Sequence, residues 1–164
     1  MTQALDLQFS KKGVLVPNHI AIIPDGNRRW ARARGLHTLQ GHKKGFDNAV
    51  SLCRAARNMG VHTVTIWGFS NENWDRTKEE VSYLMHLYER LVNQFLKEAE
   101  KEGVRLFHIG RKDRLPQSLL VKLKDAEEKT AKNKKHILNI ALDYGGQDEI
   151  LRAVKNIVRA NISH

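Results

Sequence analysis

Strand-type and helix-type patterns alternate along this chain from end to end, and that alternation leaves few folds open. Apolar, β-branched runs at residues 20–23, 61–69, 104–109 and 137–142 predict strands. Amphipathic stretches at residues 27–34, 42–59, 78–102, 117–132 and 147–159 predict the helices between and after them. Strands separated by helices pair in parallel, because each return to the same end of a sheet needs a crossover. The expected fold class is therefore α/β: an open, mostly parallel sheet with crossover helices on both faces and an active site at the carboxyl ends of the strands. Punctuation agrees. Gly60 and Gly103 fall just past two helix ends, Pro116 suits a first helical turn, and Thr77 with Glu80 forms a Thr-x-x-Glu capping box. No linker, repeat or low-complexity stretch interrupts the 164 residues, which suit one domain with a real core.

The chemistry is massed where strands should end. From His19 the chain reads His-Ile-Ala-Ile-Ile-Pro-Asp-Gly-Asn-Arg-Arg-Trp-Ala-Arg. The run at 20–23 has the composition of a strand buried on both faces, Pro24 stops ladder pairing, and Gly26 permits a tight turn. Asp25 is thereby expected at a strand's carboxyl end, with a helix starting near Asn27 offering unpaired N–H groups. Asp-Gly-Asn alone is an ordinary turn with a good helix cap. Arg28 and Arg29 are not ordinary there, because cations in a first helical turn oppose the dipole, and such placement points to a bound anion. A hard carboxylate beside phosphate donors suits a magnesium-bound diphosphate. The second strand ends in Trp67-Gly68-Phe69-Ser70-Asn71-Glu72-Asn73-Trp74-Asp75-Arg76, where two tryptophans and an arginine exceed what capping needs. A third element, Gly41-His42-Lys43-Lys44-Gly45, is expected at a helix start with its histidine and lysines facing phosphate oxygens.

The net charge of +10 asks for an anionic partner: nucleic acid, anionic lipid or a phosphorylated small molecule. Only Lys132, Lys134 and Lys135 approach a cluster, and no base-stacking aromatics are interleaved with them, which argues against nucleic acid. Cys53 is the single cysteine, so no internal disulfide is possible, and its phasing with Phe46, Ala49, Val50 and Ala56 reads as core. None of the eight histidines has metal-ligand spacing to another, against a zinc site. The first eighteen residues lack a secretory signal's apolar centre, and no run reaches a membrane span, so a cytoplasmic location is expected, with peripheral membrane contact compatible with the basic charge. Val81, Leu84, Met85, Tyr88, Leu91, Val92 and Phe95 form a stripe at helical spacing; periodicity does not separate a filled core from a cavity wall.

Together the motif from His19 to Trp30, Gly41-His42-Lys43-Lys44-Gly45, and the run from Gly68 to Arg76 leading to Glu79-Glu80-Val81 resemble the undecaprenyl diphosphate synthase family, the cis-prenyltransferases, from about Val16 to Ala160. Asp143-Tyr144-Gly145-Gly146 resembles the family's next strand end and glycine turn, with Asp143 where relatives usually have asparagine and Gln147 where they often have arginine. The resemblance implies condensation of isopentenyl diphosphate onto an allylic diphosphate such as farnesyl diphosphate, with cis geometry, to build a long polyprenyl diphosphate. It implies that Asp25 holds Mg2+ and that Gly26, Asn27, Arg28, Arg29 and His42 bind diphosphate, with Trp30 flanking them. Phe69, Ser70, Asn71, Glu72, Trp74 and Arg76 would complete the substrate site, Asn73 would assist proton removal, Glu80 would sit at the mouth, and the stripe would line a product tunnel. Thr38 stands where many relatives have a diphosphate-binding arginine, leaving Arg34 and Lys43 as candidates to compensate. The family continues beyond the point matched by His164, with an arginine-rich isopentenyl diphosphate segment, a glutamate completing the metal site and a homodimer interface. The resemblance thus implies an N-terminal extension at 1–15 and a C-terminally incomplete domain at 16–164. Two other classes fit parts of the pattern: a noncatalytic phosphate or lipid-diphosphate binding module and a basic nucleic-acid-binding domain.

Overall fold

A computed structural model describes residues 15–160, in which four parallel strands form one sheet. The strands are β1 (His19–Ile22), β2 (Thr63–Ser70), β3 (Val104–Ile109) and β4 (His136–Tyr144), in the order β1-β2-β4-β3. The helices are α1 (Asn27–Arg32), α2 (Thr38–Asn58), α3 (Lys78–Glu102), α4 (Gln117–Lys129) and α5 (Gly146–Arg159), and a 3-10 turn, Asn71–Asp75, joins β2 to α3. The N-terminal extension expected over 1–15 lies, apart from Leu15, outside the described residues.

Parallel register sets Ile20 beside Val64, Ile66 beside Ile140 and Leu106 beside Leu138. One face of the sheet thereby presents a continuous apolar layer to the buried side of α3, which contributes Leu84, Met85, Tyr88, Leu91, Val92 and Phe95. Cys53 lies in the same core, and desolvation pushes its thiol up to about 12, so it is chemically quiet. The opposite side carries a polar row in which Thr65 Oγ1 receives the Asn139 amide at 2.9 Å and lies 2.8 Å from His19 Nε2.

Three expectations are corrected. The run at 20–23 is not buried on both faces: β1 is an edge strand, with His19 and Ala21 exposed and Ile20 and Ile22 half-buried. Its composition reports one buried side, and edge or centre is decided by partners that composition does not name. Helix α2 begins at Thr38 rather than at His42, because His37 caps it, its ring accepting the Leu39 N–H while Gln40 returns a bond to the His37 N–H. His42 is therefore a turn inside the helix. The Thr77 capping box is half formed: Thr77 Oγ1 accepts the Glu80 N–H at 3.3 Å, but the Glu80 carboxylate turns to other partners.

Helix α5 shows a different surface from the rest. Ile150, Leu151, Val154, Ile157 and Val158 are all exposed along it. Among the described residues no helix is long and apolar enough to cross a membrane.

Candidate active site

The carboxyl ends of β1 and β2 open on a cavity of about 390 Å³ between α1, α2 and α3. Its mouth is polar, lined by Asp25, Gly26, Asn27, Arg28, Arg29 and His42 on one side and Ser70, Asn73 and Arg76 on the other. Its interior is apolar, lined by Ile66, Leu84, Tyr88, Leu91, Phe95, Leu138 and Ile140. Four of the seven residues of the α3 stripe, Leu84, Tyr88, Leu91 and Phe95, are thus cavity wall, while Met85 and Val92 remain core. The other site residues expected from sequence lie around this mouth rather than in it. Trp30 sits beneath Arg34, whose guanidinium is 4.6 Å from the ring, Phe69 is fully buried against Trp74, and Asn71, Glu72, Trp74 and Glu80 do not line the cavity.

Helix α1 starts at Asn27 behind Gly26, whose φ of +89° is the left-handed turn that its lack of a Cβ allows. Among the described residues no side chain caps the helix, and no acid stands in its first turn, so first-turn N–H groups remain for a ligand. At six residues the helix contributes these local donors more than a macrodipole. The close approach of α1 to α2 explains the two glycines of the 41–45 motif. A Cβ on Gly41 would collide with the Asn27 carbonyl oxygen, and one on Gly45 with the Asn27 carboxamide. Those glycines serve helix packing, and they hold Asn27 at the rim.

Asp25 is 79% exposed; its Oδ2 accepts the Arg29 Nη2–H at 3.0 Å and its Oδ1 the Gly26 N–H at 2.5 Å. Among the described residues no group of three or more His, Cys, Asp or Glu side chains gathers to hold a metal. A solvent-facing carboxylate beside two arginines nonetheless fits Mg2+, which keeps most of its waters and is commonly held by one or two carboxylates plus substrate phosphate oxygens.

Behind the mouth, the buried Glu80 carboxylate ties the two sides together. Its Oε1 takes the His42 Nε2–H at 2.8 Å and the Arg76 Nη1–H at 3.0 Å. Burial acts to raise the acid's pKa, but the His42 bond and the charges of Arg76 and Arg28 outweigh it, and Glu80 stays ionised below its ordinary range. Burial pushes His42 down, so the ring is neutral near pH 7, with its proton on the nitrogen facing Glu80. In that tautomer His42 orients Glu80 and Arg76 and presents no N–H to phosphate on its other nitrogen.

At the end of β2, Asn73 Nδ2 donates to Ser70 Oγ at 2.9 Å, and Ser70 N–H donates to Asn73 Oδ1 at 3.3 Å. Each amide atom of Asn73 is thus engaged with Ser70. Glu72 is held below the usual carboxylate range by the Ser70 hydroxyl and a backbone N–H.

Sequence reading missed Arg32, Phe46 and Ala49, which also line the cavity, as does Trp67, which it singled out in the second strand-end run without giving it a role. Arg32 follows Arg28 at i+4, a helical spacing that places both on one face and could have found it. Neither proposed substitute for the arginine absent at Thr38 lines the cavity: Lys43 pairs with Asp47 at 3.2 Å, and Arg34 donates to the Trp30 carbonyl at 3.3 Å.

A family model described as "Putative undecaprenyl diphosphate synthase" matches residues 23–164. The chain is 44% identical over 144 residues to an isoprenyl transferase of Aquifex pyrophilus, covering 88% of this chain and 62% of that protein. It is 46% identical over 153 residues to a chloroplastic nerylneryl diphosphate synthase of Solanum lycopersicum, covering 93% of this chain and 47% of that one. The crystal structure of lavandulyl diphosphate synthase from Lavandula x intermedia in complex with dimethylallyl diphosphate superposes with a TM-score of 0.82 at 34% identity, covering 91% of this chain and 65% of that one. The chain therefore spans between about half and two-thirds of the length of these relatives.

Proposed function

Because the chain belongs to the undecaprenyl diphosphate synthase family, we propose that it serves a cis-prenyltransferase, condensing isopentenyl diphosphate onto an allylic diphosphate to give a polyprenyl diphosphate. The observation that carries this reading is the continuity of a cationic mouth with an apolar interior in one cavity at the strand ends. Such a space fits a diphosphate head joined to a hydrocarbon tail.

Arg28, Arg29 and the N–H groups at the start of α1 bind the allylic diphosphate, and Arg76, held by Glu80, faces it across the mouth. The allylic C–O bond breaks, and those donors stabilise the charge that develops on the departing diphosphate. Asp25 would hold Mg2+, which when bound neutralises part of the same charge. The isopentenyl double bond then supplies the electrons for the new C–C bond, and a proton is lost. Asn73 is a neutral carboxamide engaged with Ser70, so its part in proton loss is to orient that hydroxyl, while the departing diphosphate is the stronger base at hand. The growing tail passes between Leu84, Leu91, Phe95 and Ile140. The net charge of +10 supports a peripheral contact with an anionic lipid surface that receives the product.

Incorporation of labelled isopentenyl diphosphate with farnesyl diphosphate and Mg2+ tests this for the parent and Asp25→Ala. The parent is expected to incorporate label into butanol-extractable product and the variant to lose at least a hundredfold. Full activity in the variant would remove Asp25 from the site. Diphosphate binding without turnover in the parent would favour a noncatalytic module.

A further inference from the structure

The carboxylate of Asp143 does not line the cavity, yet its bonds lead to residues that do. It stands next to last in β4, is fully buried, and among the described residues is the one non-glycine with a left-handed backbone, at φ +54°. Aspartate tolerates that conformation, but a carboxylate with no exposure needs partners. Its Oδ1 accepts the Trp74 Nε1–H at 2.9 Å, and its Oδ2 accepts the Arg114 Nε–H at 2.9 Å. Arg114 Nη2 also donates to Oδ1, completing a two-pronged ion pair, and reaches Asn71 Oδ1 at 3.0 Å. The backbone is cut to admit this arrangement: a Cβ on Gly145 would lie 2.7 Å from Asn71 Nδ2.

One ion pair therefore grips the 3-10 turn Asn71–Asp75 at its first residue, through Asn71, and at its fourth, through Trp74. A five-residue 3-10 turn has little rigidity of its own, so what grips it sets where it sits. Between the two grips lies Asn73, bonded to Ser70, and both of these line the cavity mouth. We infer that Arg114 and Asp143 are positioning residues: acting through Asn71 and Trp74, they set the Asn73–Ser70 pair against the reacting end of the allylic diphosphate. This rests on the function proposed above and names two residues that its chemistry does not touch. The charge matters as well as the shape. An asparagine at this position would offer one acceptor oxygen and could not receive both prongs of a guanidinium together with the indole.

The test uses the whole chain with Arg114→Gln, Asp143→Asn, Arg114→Lys and the double Arg114→Gln/Asp143→Asn. The double variant leaves no carboxylate buried without a partner and so keeps the measurement interpretable if Arg114→Gln folds poorly. Two readouts are taken on each. The first is the Trp74 indole and Asn73 side-chain amide resonances, assigned with Trp74→Phe and Asn73→Ala. The second is steady-state condensation, separating kcat from KM for the allylic diphosphate. Arg114→Gln and the double variant are expected to move both sets of resonances while leaving the Trp30 indole in place. They should lower kcat at least tenfold with KM changed less than twofold. Asp143→Asn should fall in between, and Arg114→Lys should not rescue, since an ammonium cannot span Asp143 and Asn71. Unmoved Trp74 and Asn73 signals in Arg114→Gln would overturn the inference whether or not the chain turns over. So would moved signals with kcat unchanged. A parent that shows no condensation overturns the proposed function instead, and leaves the resonances to judge the grip.

Discussion

Glu80 accepts the His42 Nε2–H at 2.8 Å across 38 residues of sequence, and the same oxygen receives Arg76. Helix α2, helix α3 and the turn before α3 are thereby pinned to one buried charge behind the diphosphate end of the cavity. Breaking a buried pair by removing one partner is costly because the other is left uncompensated. Glu80→Ala should destabilise the chain by about 3 kcal/mol and weaken binding of inorganic pyrophosphate roughly tenfold by releasing Arg76. Urea unfolding and isothermal titration check the two effects separately; stability within about 0.5 kcal/mol of the parent would show that the pair is not structural.

Gly45→Ala should destabilise by about 1–3 kcal/mol, although alanine is the better helix former by about 1 kcal/mol. The new Cβ would enter the space of the Asn27 carboxamide. Removing that carboxamide in Asn27→Ala/Gly45→Ala should recover stability relative to the single variant. A urea midpoint for Gly45→Ala at or above the parent's would contradict the packing described.

Phe95 and Leu138 line both the main cavity and a small void of about 30 Å³ beyond it, bordered by Cys53, Val61 and Val64. Phe95→Ala should join the two and shift products toward longer chains, at a stability cost of about 3–5 kcal/mol. Thin-layer separation of dephosphorylated products at low temperature reads the shift; an unchanged or shorter distribution would mean the tail does not run along this wall.

Three histidines should govern stability in mildly acidic solution. Burial lowers His42, His108 and His136 below the ordinary histidine value of 6.5, so the unfolded chain binds protons that the folded chain refuses. Their contribution is complete above pH 6.5 and is lost progressively as pH falls below it, by up to about 1.4 kcal/mol per pH unit for each ring still neutral in the fold. The acids held low, Glu80 among them, act in a separate window below about pH 4.5. Urea midpoints should decline from about pH 7.5 to about 5.5, and His108→Gln, which replaces a ring with an unpartnered Nδ1, should flatten the decline. A midpoint indifferent to pH in that range would contradict it.

What the sequence made legible was whatever is punctuated locally. Helix α3 runs from Lys78 to Glu102 as expected because Thr77 and Gly103 mark its two ends, and β3 coincides with its apolar run. The start of α2 was hidden because histidine is an unusual cap, and only the paired bonds among His37, Leu39 and Gln40 reveal it. The polar half of the mouth was readable from motifs, but the partners of Glu80, Asn73 and Trp74 were not. Local spacing assigned Glu80 to a capping box, whereas its carboxylate answers to a residue on another helix. Asp143, in β4, and Arg114, in the connection from β3 to α4, lie 29 residues apart, and nothing in either neighbourhood announces the other.

Asp25 hangs from the least secured strand of the sheet. Among the described residues strand β1 has four residues and one neighbour, so its ladder opens at a smaller free energy than that of β2 or β4. Order at the strand and occupancy at the acid are then linked: a diphosphate held at Asp25 and α1 adds its binding energy to the closed form of β1. Amide exchange at Ile20 and Ile22 should therefore be among the fastest in the sheet without ligand and slow the most with it, making the edge of the fold a reporter of the substrate.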